Sequence, residues 1–176
     1  MDIEHYLQHP DAYQLGETDV DLRVASSADN RHAAQALAEQ AKRCLHLFTR
    51  DLDAAVYDHA AFIQAVSALA TRGRYSRIQI LVQNSERAVK NGHRLIELSR
   101  RLSSFIELRK PHYDYREYNQ AFLVADEVGL LRRPIGDRYD GLLNFKAPLA
   151  ARECVDFFNQ VWERSEADPD LRQLHI

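Results

Sequence analysis

Four groups of residues carry side chains whose types and spacing could do chemistry: Arg50-Asp51 with Asp53, Gly92-His93-Arg94, Arg132-Arg133 with Asp137-Arg138, and Tyr113, Tyr115 and Tyr118 beside Arg116. Guanidinium groups hold phosphate oxygens through charge and directed N–H donors. A glycine before a helix start adds unpaired backbone N–H groups to the same task. Tyrosines next to an arginine can stack on bases. Each group also has a plain structural reading. Asp51 and Asp53 can cap a short helix while Arg50 pairs with them. Glu97 and Arg101, four residues apart, can bind one another along an exposed helix face. Pro134 and Gly136 mark a turn that the surrounding arginines would simply order, and the alternating tyrosines fit an edge or loop.

Other chemistries find less support. His5 and His9 could share a helix face and touch one metal, but Pro10 follows directly and no third ligand stands nearby. There is no Gly-x-Ser-x-Gly elbow, no Gly-x4-Gly-Lys-Ser/Thr loop and no Gly-x-Gly-x-x-Gly turn. His46 lies inside an apolar stretch, where a hydrogen-bonded core histidine is the ordinary role. No metal and no cofactor are expected. Cys44 and Cys154 sit far apart in apolar segments and read as small hydrophobes, so nothing demands an oxidising compartment.

The total charge of −3 conceals segregation. Between Arg72 and Lys110, eight Arg and two Lys face three Glu, a net +7, so the rest of the chain carries −10. Such a block marks either an anion-binding face or a set of solvated helix faces. The apolar runs Ile78–Val82 and Phe122–Ala125 are far shorter than the roughly 20 residues that span a bilayer, and Met1-Asp2-Ile3-Glu4 is no signal peptide. No membrane partner is expected, and a cytoplasmic location follows.

The elements that must position these residues can be read from periodicity. Residues 1–20 show no sustained period and are expected to form an N-terminal arm. Ser26, Ser27 and Asp29 are candidate caps for a helix to about Lys42, with Ala33, Ala36, Leu37 and Ala41 on one stripe. Cys44–Phe48 suits a buried strand. Asp58 is a candidate cap for a helix carrying Phe62, Val66 and Leu69, with Gly73 as its stop. Ile78–Val82 reads as a strand, Leu95, Leu98 and Leu102 as the core stripe of a helix after Gly92, and Phe105–Arg109 as another strand. The alternation argues for parallel strands with crossover helices. Ala121–Ala125 and Val128–Leu131 look antiparallel around Asp126-Glu127, and Pro148 can open a final helix with Ala151, Val155, Phe158 and Trp162 at helical spacing. The tail, residues 166–176, offers only Leu171 and Leu174 to a core. One α/β domain is expected over residues 21–165.

Three stretches in this order resemble the phospholipase D-like superfamily. They are Ala41–Phe48 and Ala61–Ala70 leading through Arg72-Gly73-Arg74 into Ile78–Val82; Phe105–Lys110 followed by Asn119–Asp126; and Phe157-Phe158-Asn159-Gln160-Val161-Trp162-Glu163-Arg164-Ser165. The resemblance implies an α/β fold with a mixed β-sheet flanked by helices on both faces. Catalytic members carry His-x-Lys-x4-Asp; anchored on Asp126, the corresponding positions here are Asn119 and Ala121. Asparagine cannot form the covalent phosphohistidine and alanine supplies no charge, so the resemblance implies a degenerate unit. The chain is also similar to a bacterial family in which such a unit stands alone or follows an acetyltransferase domain, and the stand-alone form is expected.

What the resemblance implies for function is a non-catalytic binding module for nucleic acid or another phosphate-bearing ligand, or for a protein partner. Its site residues would be Arg50, Asp51, His93, Arg94, Asn119, Asp126, Arg132, Arg133 and Arg138, with the last three arginines beside the vacated pocket. Because such active sites are commonly built between two units, a homodimer is implied. Two alternatives stay open: a phosphoesterase or nuclease-like enzyme using other residues, such as His93, His112 or Asp126, and an accessory domain of an acetyltransferase.

Overall fold

The computed structural model describes residues 1–172. In chain order, its elements are α1 (Glu4–Gln8), β1 (Leu22–Val24), α2 (Ser27–Gln40), β2 (Cys44–Thr49), α3 (Ala54–Tyr57), α4 (Ala60–Arg72), β3 (Arg77–Val82) and α5 (Glu86–Asn91). They continue as α6 (Arg94–Arg101), β4 (Ile106–Arg109), β5 (Ala121–Ala125), β6 (Gly129–Arg133), β7 (Gly141–Asn144), α7 (Pro148–Glu163) and α8 (Pro169–Arg172). The strands form one mixed seven-stranded sheet in the order β1-β7-β6-β5-β2-β3-β4. β2, β3 and β4 are parallel, whereas β5 to β7 and β1 run antiparallel to their neighbours.

Alternation along the strands assigns the two faces. Leu45, Leu47, Ile78, Ile80, Leu123 and Leu131 join Leu37, Phe62, Leu69 and Leu95 of the crossover helices in one core. Phe48, Leu81, Phe122, Val124 and Leu130 pack on Ala151, Val155, Phe158 and Val161 of α7 on the other face. Helices therefore cover both faces. The buried strands read as continuous apolar runs because neither face meets water.

Local chemistry explains most boundaries. A capping box starts α2: Ser26 Oγ accepts from the Asp29 N–H at 3.0 Å, and the Asp29 carboxylate accepts from the Ser26 N–H at 3.1 Å. Pro148 opens α7 at a position where no N–H is needed. The β5–β6 hairpin turns at Asp126 and Glu127, both at positive φ (51° and 59°), the geometry that two-residue hairpins favour.

Several expectations need correction. β1 and β7 were not foreseen, since β1 has three residues and β7 exposes Leu142, which leaves no readable alternation. β7 nonetheless depends on Gly141, where a Cβ would collide with the carbonyl oxygen of Arg132. The helix expected to begin at Asp58 has His59 as its N-cap, without a side-chain cap. Residues 1–20 contain α1 and a 3-10 turn, and they bury Ile3 and Tyr13. Gln40 holds that segment, accepting from the Leu15 N–H and donating to the Tyr13 carbonyl. Leu171 is buried in the main core, while Leu174 lies outside the described residues.

Candidate functional site

The C-terminal ends of parallel strands are where α/β sheets present ligand sites, because the chain leaves there into loops and helix starts. In this sheet β2 ends at Thr49, whose Oγ1 accepts from the Leu52 N–H at 3.2 Å. Leu52 is buried at φ 55°, which makes a tight turn and leaves Arg50 and Asp51 half-buried at its start. Asp53 then caps α3 by accepting from the Ala55 N–H at 3.0 Å. Pairing with the β3 exit continues past the sheet, with Asn84 N donating to the Arg50 carbonyl at 2.7 Å.

α5 follows at once and completes a concavity. Arg50, Asp51, Asn84, Glu86, Arg87, Lys90 and Asn91 line an open cavity of about 510 Å³. Arg87 meets Lys90 and Asn91 there because residues three and four apart share a helix face. Arg50 Nε lies 3.6 Å from Asp137 Oδ1 and makes no hydrogen bond within the described residues. Burial raises the Asp51 pKa above the ordinary carboxylate value, reinforced by Asp53 and opposed by Arg87 and Arg133. Arg50, Arg87 and Lys90 stand against Asp51 and Glu86, so the lining is cationic by one formal charge.

Arg133 stands behind this cavity and is 5% exposed. Its Nη1 donates to the Arg138 carbonyl at 3.3 Å, and its guanidinium lies 5.6 Å from the Tyr139 ring centre. Tyr139 in turn donates to Asp53 Oδ2 at 2.7 Å, and the buried Asn30 donates to the Tyr139 carbonyl at 2.8 Å. The β6–β7 loop is thereby tied to the start of α3. Arg132, one residue earlier on β6, points to the opposite face, where Nε and Nη2 both donate to Gln120 Oε1 at 3.2 and 2.9 Å. Arg138 is exposed and contributes its carbonyl to Arg133. Arg132, Arg133 and Arg138 are neighbours in sequence but do not form one anion pocket.

The other expected site residues are committed elsewhere. His93 is buried and serves as the N-cap of α6, its Nδ1 accepting from the Leu95 N–H at 3.1 Å. Arg94 is held by Asp58, with Nε 2.7 Å from Oδ1 and Nη2 2.9 Å from the backbone carbonyl. Glu97 and Arg101, the alternative pair, make no ion pair with one another or with any other described residue. Asn119 precedes β5 at the end of the sheet where β2 and β3 finish, its carbonyl accepting from the Gly136 N–H at 2.6 Å and its buried Oδ1 without a hydrogen-bond partner among the described residues. Asp126 is at the other end of β5, roughly 20 Å from Asn119 along an extended strand. There its carboxylate accepts from the N–H groups of Lys42, Arg43 and Cys44 at 2.8, 2.8 and 3.0 Å. Asn119 and Asp126 therefore do not share a pocket.

Sequence reasoning missed Arg87, Lys90 and Asn91, which it left in a polar connection between strand and helix. Their i, i+3 and i+4 spacing was the available signal. No group of three or more His, Cys, Asp or Glu is arranged to hold a metal among the described residues. His5 is instead hydrogen-bonded through Nδ1 to the Tyr13 hydroxyl at 2.6 Å. No described helix is long and apolar enough to cross a membrane.

Burial lowers the pKa values of His93 and His46 below the usual histidine value. The unfolded chain therefore takes up these protons first as pH falls. The stability they confer is complete above about pH 6.5 and declines below it. Denaturant melts at pH 7.5 and 5.5 should show lower stability at 5.5. His93→Asn, which supplies a capping oxygen in place of Nδ1 and has no titrating ring, should narrow the difference without abolishing it, since His46 acts in the same direction. An unchanged difference would remove His93 from this account.

Comparison with known proteins agrees with this architecture. The archaeal chromatin protein TrmBL2, whose structure is described as showing a novel mode of DNA binding, superposes with a TM-score of 0.61 at 15% identity, over 85% of this chain and 55% of that one. The chain thus spans about half the length of TrmBL2. Nuc, a phospholipase D family member from Salmonella typhimurium, gives 0.60 at 14% identity, over 85% of this chain and 99% of Nuc. NucT from Helicobacter pylori gives 0.56 at 11% identity, over 85% and 99%. These likenesses establish a phospholipase D-like fold. No curated protein sequence matches. Residues 26–174 match the family described as “Domain of unknown function (DUF7931)”, and the chain belongs to that family.

Proposed function

We propose that this chain is a non-catalytic phospholipase D-like module that holds a phosphate-bearing ligand, a strand of nucleic acid, at the C-terminal end of its sheet. The observation that carries this reading is the convergence of Arg50, Arg87 and Lys90, with the amides of Asn84 and Asn91, on one open cavity. Arg50 Nε makes no hydrogen bond among the described residues and faces Asp137 Oδ1 at 3.6 Å, so a phosphate oxygen that displaces this loose ion pair gains a charged donor. Asn119 and Ala121 occupy the positions where catalytic members of the superfamily carry histidine and lysine, so neither a covalent phosphoryl step nor its charge stabilisation is available. DNA binding belongs to TrmBL2 as described, and supports this reading by likeness of fold alone.

Fluorescence anisotropy with a labelled single strand, repeated across salt concentrations, tests it. Three phosphate contacts should give a log–log slope of about −2, since each contact to a single strand releases about 0.7 of a counterion. Arg87→Gln should weaken binding several-fold and flatten the slope by about 0.7. Absence of binding at the lowest salt would defeat the proposal.

A further inference from the structure

A second, larger cavity of about 610 Å³ opens on the α7 side of the same sheet edge. Its floor is Gln83, the first residue after β3. Gln83 Nε2 donates to the carbonyls of Tyr115 and Tyr118 at 3.2 and 2.8 Å, while its buried Oε1 accepts no hydrogen bond among the described residues. One wall is the chain after α7, which pairs with Lys110 through two backbone bonds to Glu166 of 2.9 and 3.1 Å. Asp168 pins that wall to the sheet by accepting from the Ser85 hydroxyl at 2.7 Å. The opposite wall is the 3-10 turn Tyr113–Tyr115, capped by His112 Nδ1 accepting from the Asp114 N–H at 3.1 Å. Tyr113 is 70% exposed, and the Arg116 guanidinium lies 3.9 Å from its ring centre.

The geometry points to a subsite for an unpaired nucleobase of the strand whose phosphates sit at Arg50, Arg87 and Lys90, an assignment that rests on the phosphate-binding reading above. An exposed tyrosine ring backed by a guanidinium is a stacking platform that accepts any base, because every base has a π-face. The acceptors around it suit a base and oppose a phosphate: Glu166, Asp168 and Asp170 outnumber Lys110 and Arg116 in the lining. Every nucleobase carries an N–H donor on its pairing edge, and in a duplex that edge is already occupied. Gln83 and Asn84 are consecutive and point to opposite faces of the sheet edge, so each lines a different cavity. A single strand crossing the rim at this step sets its backbone in the cationic cavity and turns a base into the tyrosine-lined one.

The test is anisotropy on the full chain at fixed low salt with three labelled probes of equal length: a single strand, an abasic strand and a duplex. The single strand should bind about tenfold tighter than the abasic strand, the contribution of one stacked base, and tighter than the duplex. Tyr113→Ala should reduce single-strand affinity to the abasic level and leave abasic affinity unchanged, whereas Tyr113→Trp should retain single-strand affinity. The exposure of Tyr113 makes misfolding an unsuitable explanation for such a loss, and a matched thermal melt verifies this. Equal binding of abasic and base-bearing strands, duplex binding as tight as single-strand binding, or a Tyr113→Ala variant indistinguishable from the parent would overturn the base subsite. In those cases binding weakened by Arg87→Gln would keep the phosphate reading intact. Failure of all three probes to bind would overturn both.

Discussion

Replacing Asp126 by alanine is expected to lower the free energy of unfolding by about 3 kcal/mol while leaving oligonucleotide affinity unchanged. The Asp126 carboxylate accepts three backbone N–H groups at the entrance to β2, all within 3.0 Å, so one side chain satisfies Lys42, Arg43 and Cys44 together. Partial access to water limits each bond to about 1 kcal/mol. Asp126 also stands at φ 51°, a conformation that costs alanine more than aspartate or asparagine. Asp126→Asn should therefore lose about half as much, since it keeps the turn and one acceptor oxygen. Chemical denaturation and anisotropy on the same preparations decide between structure and function here. Lost affinity at unchanged stability would return Asp126 to the binding site.

Phe158→Ala should cost about 4 kcal/mol, in the range for removing a fully buried aromatic side chain. Phe158 lies wholly inside the core between α7 and the sheet. Its ring meets His46 edge-on at 5.1 Å, stacks on Trp162 at 5.6 Å and meets Phe122 edge-on at 6.4 Å. α7 also carries Phe157, which packs on Tyr118 at 4.4 Å and Tyr115 at 6.0 Å behind the tyrosine-lined cavity. Loosening the helix should therefore weaken base-dependent binding along with stability. Guanidinium melts followed by Trp162 fluorescence give the magnitude. A loss below about 1 kcal/mol would mean that the core on this face does not depend on Phe158.

The two variants separate roles that the sequence pattern merges. Asp126 and Phe158 both lie in stretches that resemble the superfamily, yet one closes a turn at the opposite end of the sheet from the cationic cavity and the other seats a helix. Arg50, Arg87 and Lys90 lie outside those stretches, and they line the cavity. Resemblance located the scaffold, and the cationic lining came from segments between its recognisable parts.

Local signals reached far into the fold. Cys44–Phe48, Ile78–Val82 and Ala121–Ala125 were legible as strands because burial on both faces leaves an uninterrupted apolar run. Ser26 with Asp29 and Pro148 marked helix starts because capping chemistry acts over three residues. β1 and β7 were not legible, since segments of three and four residues with Leu142 facing solvent carry no period. Only their pairing with each other and with β6 makes them strands. The N-terminal segment was likewise opaque, because Ile3 and Tyr13 are buried by partners distant in sequence.

The site divides in the same way. The sequence by itself determined that Arg50 and Asp51 follow a buried strand and therefore stand at its C-terminal end. It also determined that asparagine and alanine stand at Asn119 and Ala121. Only the tertiary structure decided that Arg94 is bound to Asp58, that Asp126 serves the backbone of residues 42–44, that Arg132 and Arg133 part to opposite faces, and that α5 brings Arg87 and Lys90 to Arg50. The physical reason is one of range. Periodicity and capping act within a few residues along the backbone, whereas the partner that satisfies or frees a charged side chain is chosen by which strands and helices the packed core brings together.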